Sequence, residues 1–463
     1  MRWPCRKRAM FLSKGGQLCI MVAQLFECFR AKNDPAKGGM NVAEERMLIV
    51  GGQRLEGVVH VSGGKNTAVA IIPATILSEQ PCVVENLPDI EDVHVSIETL
   101  RYLGAKVEWN PQEGIMIVDA STICRTDVPL ELCRRMRASY YYIGALLARF
   151  GEARVPLPGG CDIGRRPIDQ HIKGMRALGA QVETLGGTVF ARTEGLVGAD
   201  IFMDMVTVGG TVNVMLAATR AQGLTTIYNA AKEPHIVDLA NFLSSMGCRV
   251  KGAGTDVIRV YGSSHLAARR PYAVIPDQIE TGTLMIAAAA THGDVTITGC
   301  IPTHMEALTA KLLEMGARVE EHDDSIRVRS LGAHRSVSFK TQVYPGFPTD
   351  LQQPMSALLC TAVGTSTIVE NIFESRFRHL AEMERMGANV RIYEQTAVVE
   401  GVPQLHAAAV EASDLRAGAA LVVAGLMAHG TTEIYNTHFI DRGYEHLEEK
   451  LNSLGAKISR IRD

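Results

Sequence analysis

The chain has no CxxC pair; its ten cysteines stand singly at positions 5, 19, 28, 82, 124, 133, 161, 248, 300 and 360. That argues against a zinc ribbon or a thioredoxin-type redox motif. Lone cysteines with mostly apolar neighbours suit a reducing compartment, so a cytoplasmic location is expected. There is no excess of charge: 47 Lys and Arg face 50 Asp and Glu, for a net charge of −3. Neither nucleic acid nor an anionic membrane is therefore expected as a partner. No apolar run is long enough to span a bilayer, and "AGAALVVAGLM" (Ala417–Met427) reads better as a buried core helix. Walker A and GxGxxG signatures are also missing. What remains is an ordinary globular composition, 46% hydrophobic and 21% charged over 463 residues, long enough for about two to four domains.

The N-terminal stretch differs from the rest. "MRWPCRKR" is basic, and the apolar "AMFLSKGGQLCIMVAQLFECF" after it imitates a signal peptide, but Lys14 and a Gly pair interrupt it. Met40 and Met47 both precede the first regular segment. Residues 1–46 are expected to be an extension, either disordered or an over-extended start.

One hexapeptide recurs six times: "LGAKVE" at 103, "LGAQVE" at 178, "MGCRVK" at 246, "MGARVE" at 315, "MGANVR" at 386 and "LGAKIS" at 454. A near-constant period of this length marks repeated supersecondary units. In each unit a polar or Gly-rich loop opens a helix that is apolar on most faces and should be buried. A glycine is expected to close that helix. A short β-rich run follows, such as "DVTITGCIP", then an amphipathic helix such as "HMEALTAKLLEMG", whose final glycine leads into the next strand. Six such modules predict an α/β protein of two similar domains with three modules each.

The repeat places unusual residues at two equivalent positions. At the starts of the buried helices lie Lys65 and Asn66, Arg137, Thr207, Glu280, Asp350, and Asp414 with Arg416. In the turn after the following strand lie Asp92, Cys161 with Arg166, Glu233, His304, Arg376 and Arg442. Helix N-termini carry unsatisfied N–H groups and favour anions, so several converging on one cleft would cradle phosphates or carboxylates.

The segments "SGGKN", "MRAS", "LPGGCDIGRRPID", "EPHIVD", "IETGT", "FPTDLQ", "SDLRA" and "HFIDRGYE" occur in this order. From about Met47 onward the chain thereby resembles the enolpyruvyl transferase family. The Cys-containing segment and "IDRGYE" resemble its members that act on UDP-N-acetylglucosamine. The resemblance implies transfer of the enolpyruvyl group of phosphoenolpyruvate to the 3′-hydroxyl of that sugar nucleotide with release of phosphate, the first committed step of peptidoglycan synthesis. It implies an inside-out α/β barrel fold of βαβαββ-type modules. One domain would comprise 47–64 plus 277–463, the other 65–276, with the active site in the cleft between them. No metal and no cofactor are implied, the partners are the two small-molecule substrates, and a monomer is expected.

The same resemblance distributes the site residues. Cys161 would be the proton donor to C3 of the enolpyruvyl group, able to form a covalent adduct and to be alkylated by fosfomycin. Its neighbouring arginines favour the thiolate. Asp350 would serve the reacting hydroxyl as general base. Lys65, Asn66, Arg166, Arg376 and Arg442 would hold phosphoenolpyruvate, with Lys65 and Arg442 also catalytic and Arg416 assisting, since arginine forks suit phosphate and carboxylate. The sugar nucleotide would meet Asn66, Arg137, Arg166, Pro167, Ile168, Asp169, Gln170, Met205, Val206, Thr207, Val208, Asp350 and, through its backbone, Ile372.

Each assignment has a plainer rival. Arg137 could belong to a solvated helix face with Arg134 and Arg135, Asp350 could be a helix N-cap, and Asp414 with Arg416 could be a structural ion pair. Gly64 and Gly210 stand where alanine is common in the family, and Met205 and Glu91 where some members have lysine. Other readings of the whole are the sister reaction on shikimate 3-phosphate, a non-catalytic nucleotide binder, and a structural repeat array. The Cys161 segment argues against the first, because that branch lacks it.

Overall fold

The computed structural model describes residues 45–157 and 168–462. The recurring glycine organises it. Gly104, Gly179, Gly247, Gly316, Gly387 and Gly455 all adopt φ between 91° and 105°, the left-handed conformation that glycine takes without steric cost. Each ends one of six helices: Glu91–Leu103, Asp169–Ala177, Pro234–Ser245, Glu306–Met315, Arg378–Arg385 and Leu447–Ser453. Each then turns the chain into a strand beginning at Lys106, Gln181, Arg249, Arg318, Asn389 or Ile458.

The six apolar segments form the helices Lys65–Ala74, Tyr141–Phe150, Val208–Ala218, Gln278–Ala290, Thr349–Leu359 and Leu415–Met427, buried along most of their length. A glycine caps only one of these, at Gly151 (φ 73°). The others end at Thr75, Thr219, Thr291, Cys360 and Ala428. The glycines expected there stand later: Gly223, Gly364 and Gly430 immediately precede the next strand with φ of 95°, 110° and 106°. The strand entry, not the helix end, requires the left-handed residue.

Every module contributes one small sheet. In the sheet that opens the chain's second half, Asp294–Thr298 pairs in parallel with Glu56–His60 and antiparallel with Ser325–Arg329, which in turn pairs with Arg318–Glu321. The same order recurs in four of the other sheets, while the sheet of Glu152–Pro156, Thr188–Arg192 and Gln181–Leu185 has three strands and lacks the parallel one. The N-terminal strand Glu45–Val50 completes the last sheet by pairing with Thr431–Tyr435. This is the expected βαβαββ arrangement. The first strand begins at Glu45, two residues before Met47.

Two hydrophobic cores form. One draws on residues 47–61 and 279–458, the other on residues 68–274. In the first, Thr349–Leu359, Leu415–Met427 and Gln278–Ala290 pack on one another; in the second, Tyr141–Phe150 packs on Val208–Ala218 and Lys65–Ala74. The chain passes between the cores where Gly63 and Pro276 form an antiparallel bridge. A Cβ at Gly63 would lie 1.7 Å from the Asn86 carbonyl oxygen, so no larger residue fits this crossing. No helix of the described residues is long and apolar enough to cross a membrane.

Candidate active site

The starts of the buried helices bring charge to one region. Lys65, first residue of its helix, donates its backbone N–H to Asp277 Oδ2 at 2.9 Å, so a carboxylate from the other core caps this helix. Its ammonium lies 3.0 Å from Asp92 Oδ2. Asp92, in the first turn of Glu91–Leu103, also accepts from Arg442 Nε at 3.1 Å through its other oxygen. Asp92 is 4% exposed, Lys65 12% and Arg442 16%. Burial lowers the Lys65 pKa, Asp92 raises it, and Arg416 and Arg442 lower it further.

A second cluster surrounds Asp350. The cap of its helix is Pro348, and Asp350 sits in the first turn, so it is not the N-cap. Its oxygens instead accept from Arg376 Nη2 at 2.8 Å and Arg416 Nε at 3.1 Å. Both arginines are 3% exposed, while Asp350 keeps 26%. Burial raises the Asp350 pKa, but the two guanidiniums overrule it and hold the carboxyl far below the usual range. The anticipated Asp414–Arg416 ion pair is replaced by two separate roles. Asp414 caps its helix by accepting from the backbone N–H groups of Arg416 and Ala417, and the Arg416 side chain turns to Asp350. Arg376 Nε is buried with no hydrogen-bond partner, a donor that a bound acceptor would satisfy.

The two clusters are electrostatic neighbours: Lys65 feels Arg416 as well as Arg442, and His235 feels both Asp277 and Asp350. Asn66 lines a small void with Thr67, His235, Asp277 and His304. Burial pushes His235 down to about 4, so it is neutral near pH 7.

The remaining expected contacts lie in three places. Arg137 is half-buried in the 3-10 turn Arg137–Tyr140, off the short Leu130–Arg135 helix. Its neighbour Arg135 is engaged elsewhere, with Glu91 at 2.7 Å and Glu98 at 2.6 Å. Ile168 caps Asp169–Ala177, and Gln170 in its first turn is bonded to Asp204, next to Met205, Val206, Thr207 and Val208. Met205 is 55% exposed, and Thr207 caps its helix by accepting from Gly210 N. Ile372 donates its N–H to Glu370 Oε1 at 2.9 Å, so its backbone donor is engaged within the protein. Cys161, Arg166 and Pro167 lie outside the described residues.

Sequence reading missed Asp277, Asp204 and Glu370 as organisers. Glu370 gathers Thr341, Thr349 and the N–H groups of Ile372 and Phe373. Asp92 was visible only as a repeat position.

A family model described as EPSP synthase (3-phosphoshikimate 1-carboxyvinyltransferase) matches residues 49–451. The chain belongs to the enolpyruvyl transferase family. Within it, a UDP-N-acetylglucosamine 1-carboxyvinyltransferase of Clostridium botulinum is 55% identical over 417 residues, covering 90% of this chain and 100% of the relative. A UDP-N-acetylglucosamine 1-carboxyvinyltransferase 3 of Caldanaerobacter subterraneus is 53% identical with the same coverage. Among solved structures, the enolpyruvyl transferase NikO from Streptomyces tendae superposes with a TM-score of 0.82 at 28% identity, covering 91% of this chain and all of that one. The expected fold is thus the fold of this enolpyruvyl transferase.

Proposed function

We propose that this enzyme transfers the enolpyruvyl group of phosphoenolpyruvate to the 3′-hydroxyl of UDP-N-acetylglucosamine, releasing phosphate, as the first committed step of peptidoglycan synthesis. The observation that carries the reading is the convergence of Lys65, Arg376, Arg416 and Arg442 on two carboxylates, Asp92 and Asp350. The relatives at 53–55% identity, named for this acceptor, support it. A trianionic substrate needs several buried cations, and cations held in place beforehand require no reorganisation when it arrives.

The chemistry is addition followed by elimination. The sugar oxygen bonds to C2 of phosphoenolpyruvate and loses its proton, while C3 gains one. Loss of a C3 proton then expels phosphate and leaves the enol ether. We assign the proton at C3 to Cys161 and the hydroxyl proton to Asp350. Doubly paired with arginines, Asp350 is a weak base. When the substrate's phosphate and carboxylate draw on Arg376 and Arg416, that hold loosens and its proton affinity rises. Phosphoenolpyruvate binding and activation of the acceptor are coupled in this way. Residues 47–64 with 277–463, and residues 65–276, act as the two domains that close on the substrates, in a cytoplasmic monomer.

The test is phosphate release on mixing both substrates. Release only when both are present supports transfer; no release above buffer favours a binding protein that has kept the site.

A further inference from the structure

Gln170 is 4% exposed, yet it belongs to a segment assigned to the nucleotide. Its side-chain amide faces the protein instead. Gln170 Oε1 accepts from the Asp204 backbone N–H at 2.9 Å, and Gln170 Nε2 donates to Asp204 Oδ2 at 3.1 Å and to Asp169 Oδ2 at 2.8 Å. Lys173, one turn further along the same helix, holds the other Asp204 oxygen at 2.6 Å. Two bonds between one side-chain amide and one residue close a ring, so this contact fixes direction as well as distance. Packing reinforces it: a Cβ on Gly210 would lie 3.4 Å from Gln170 Cβ, and one on Gly209 would lie 2.9 Å from the His171 ring. The start of Asp169–Ala177 is therefore docked onto the turn that carries 205–208.

We propose that Gln170 is a positioning residue for the sugar nucleotide, clamping the 168–170 and 204–208 segments at the spacing that a nucleoside diphosphate sugar requires. This rests on the functional reading above, in which both segments border the nucleotide. Gln170 acts through Asp204 and not by side-chain contact with the ligand. Lys65, Arg376 and Arg442, assigned to phosphoenolpyruvate in that reading, lie outside the two clamped segments.

Gln170→Met keeps the length of the side chain and removes its hydrogen bonds. The clamp predicts a KM for UDP-N-acetylglucosamine raised roughly tenfold, with kcat and the KM for phosphoenolpyruvate within about twofold of wild type. Asp204→Ala, at a site whose side chain is 62% exposed, tests the same clamp should the Met variant fold poorly, and it too must raise the nucleotide KM selectively. The double variant should be little worse than Gln170→Met alone, because both remove one interaction. An unchanged nucleotide KM, multiplicative effects in the double variant, or parallel loss in all three constants would overturn the proposal. If wild type releases no phosphate with this acceptor, the functional reading fails instead. The clamp is then read from hydrogen exchange of the Asp204 amide, which should speed about tenfold or more in Gln170→Met; equal exchange would overturn the clamp itself.

Discussion

Lys65 and Arg442, 377 positions apart in the chain, share a single carboxylate: Asp92 lies 3.0 Å from the Lys65 ammonium and 3.1 Å from Arg442 Nε. Burial pulls the Lys65 pKa down and Asp92 is what opposes it. Removing that negative charge with Asp92→Asn destabilises the ammonium, so its pKa falls further. The basic limb of the pH profile of kcat/KM for phosphoenolpyruvate should therefore move to lower pH in the variant. A limb that stays in place would show that Lys65 does not meet this substrate as a cation.

Asp350 is held by two arginines that are each 3% exposed. Asp350→Asn leaves both with a neutral partner and removes the proposed acceptor for the hydroxyl proton. Expected is a fall in kcat of about 10²–10⁴-fold, with far smaller changes in the substrate KM values. A KM effect alone would make Asp350 a binding group.

How much of this was legible beforehand follows from where each signal lies. The six modules show in the sequence because every repeat needs a left-handed glycine at the same helix-to-strand junction, and glycine leaves a mark that any reader can count. Lys65 was legible because a cation at a helix start opposes the helix dipole unless it has a task. Asp350 and Arg442 were legible through their repeat positions and the segments "FPTDLQ" and "HFIDRGYE". Their partners were not. The Asp277 cap on Lys65 and the Asp92–Arg442 bond join residues 212 and 350 positions apart, so they arise from packing modules together and leave no local pattern. The ends of the buried helices were misread for a related reason: glycine marks a left-handed residue but does not say whether a helix end or a strand start requires it.

Acid should weaken the fold through its buried histidines, against an opposing contribution from Asp238, whose carboxyl is raised to about 6 by burial. Burial pushes His171 and His235 down to about 4, and it lowers His379 further. The unfolded chain protonates such histidines near 6.5. Between about pH 6.5 and 4 the unfolded state binds more protons, so stability is full above that window and falls as pH drops through it. Urea unfolding at pH 7, 6 and 5 should show a declining midpoint, and His171→Gln should flatten the decline. A midpoint unchanged from pH 7 to 5 would mean that these rings are solvated.

Cys161 is the proposed acid at C3. Cys161→Ala should lose most phosphate release while still binding the sugar nucleotide. Fosfomycin with UDP-N-acetylglucosamine should add to Cys161 of the wild type, as read by peptide mass. Equal activity in the two proteins would remove its role in proton transfer, and an unmodified thiol would count against its reactivity.

The central claim is the identity of the acceptor. The most direct measurement offers phosphoenolpyruvate with either UDP-N-acetylglucosamine or shikimate 3-phosphate and follows phosphate release. The account predicts release with the sugar nucleotide and none above buffer with shikimate 3-phosphate. Release with shikimate 3-phosphate alone would contradict it.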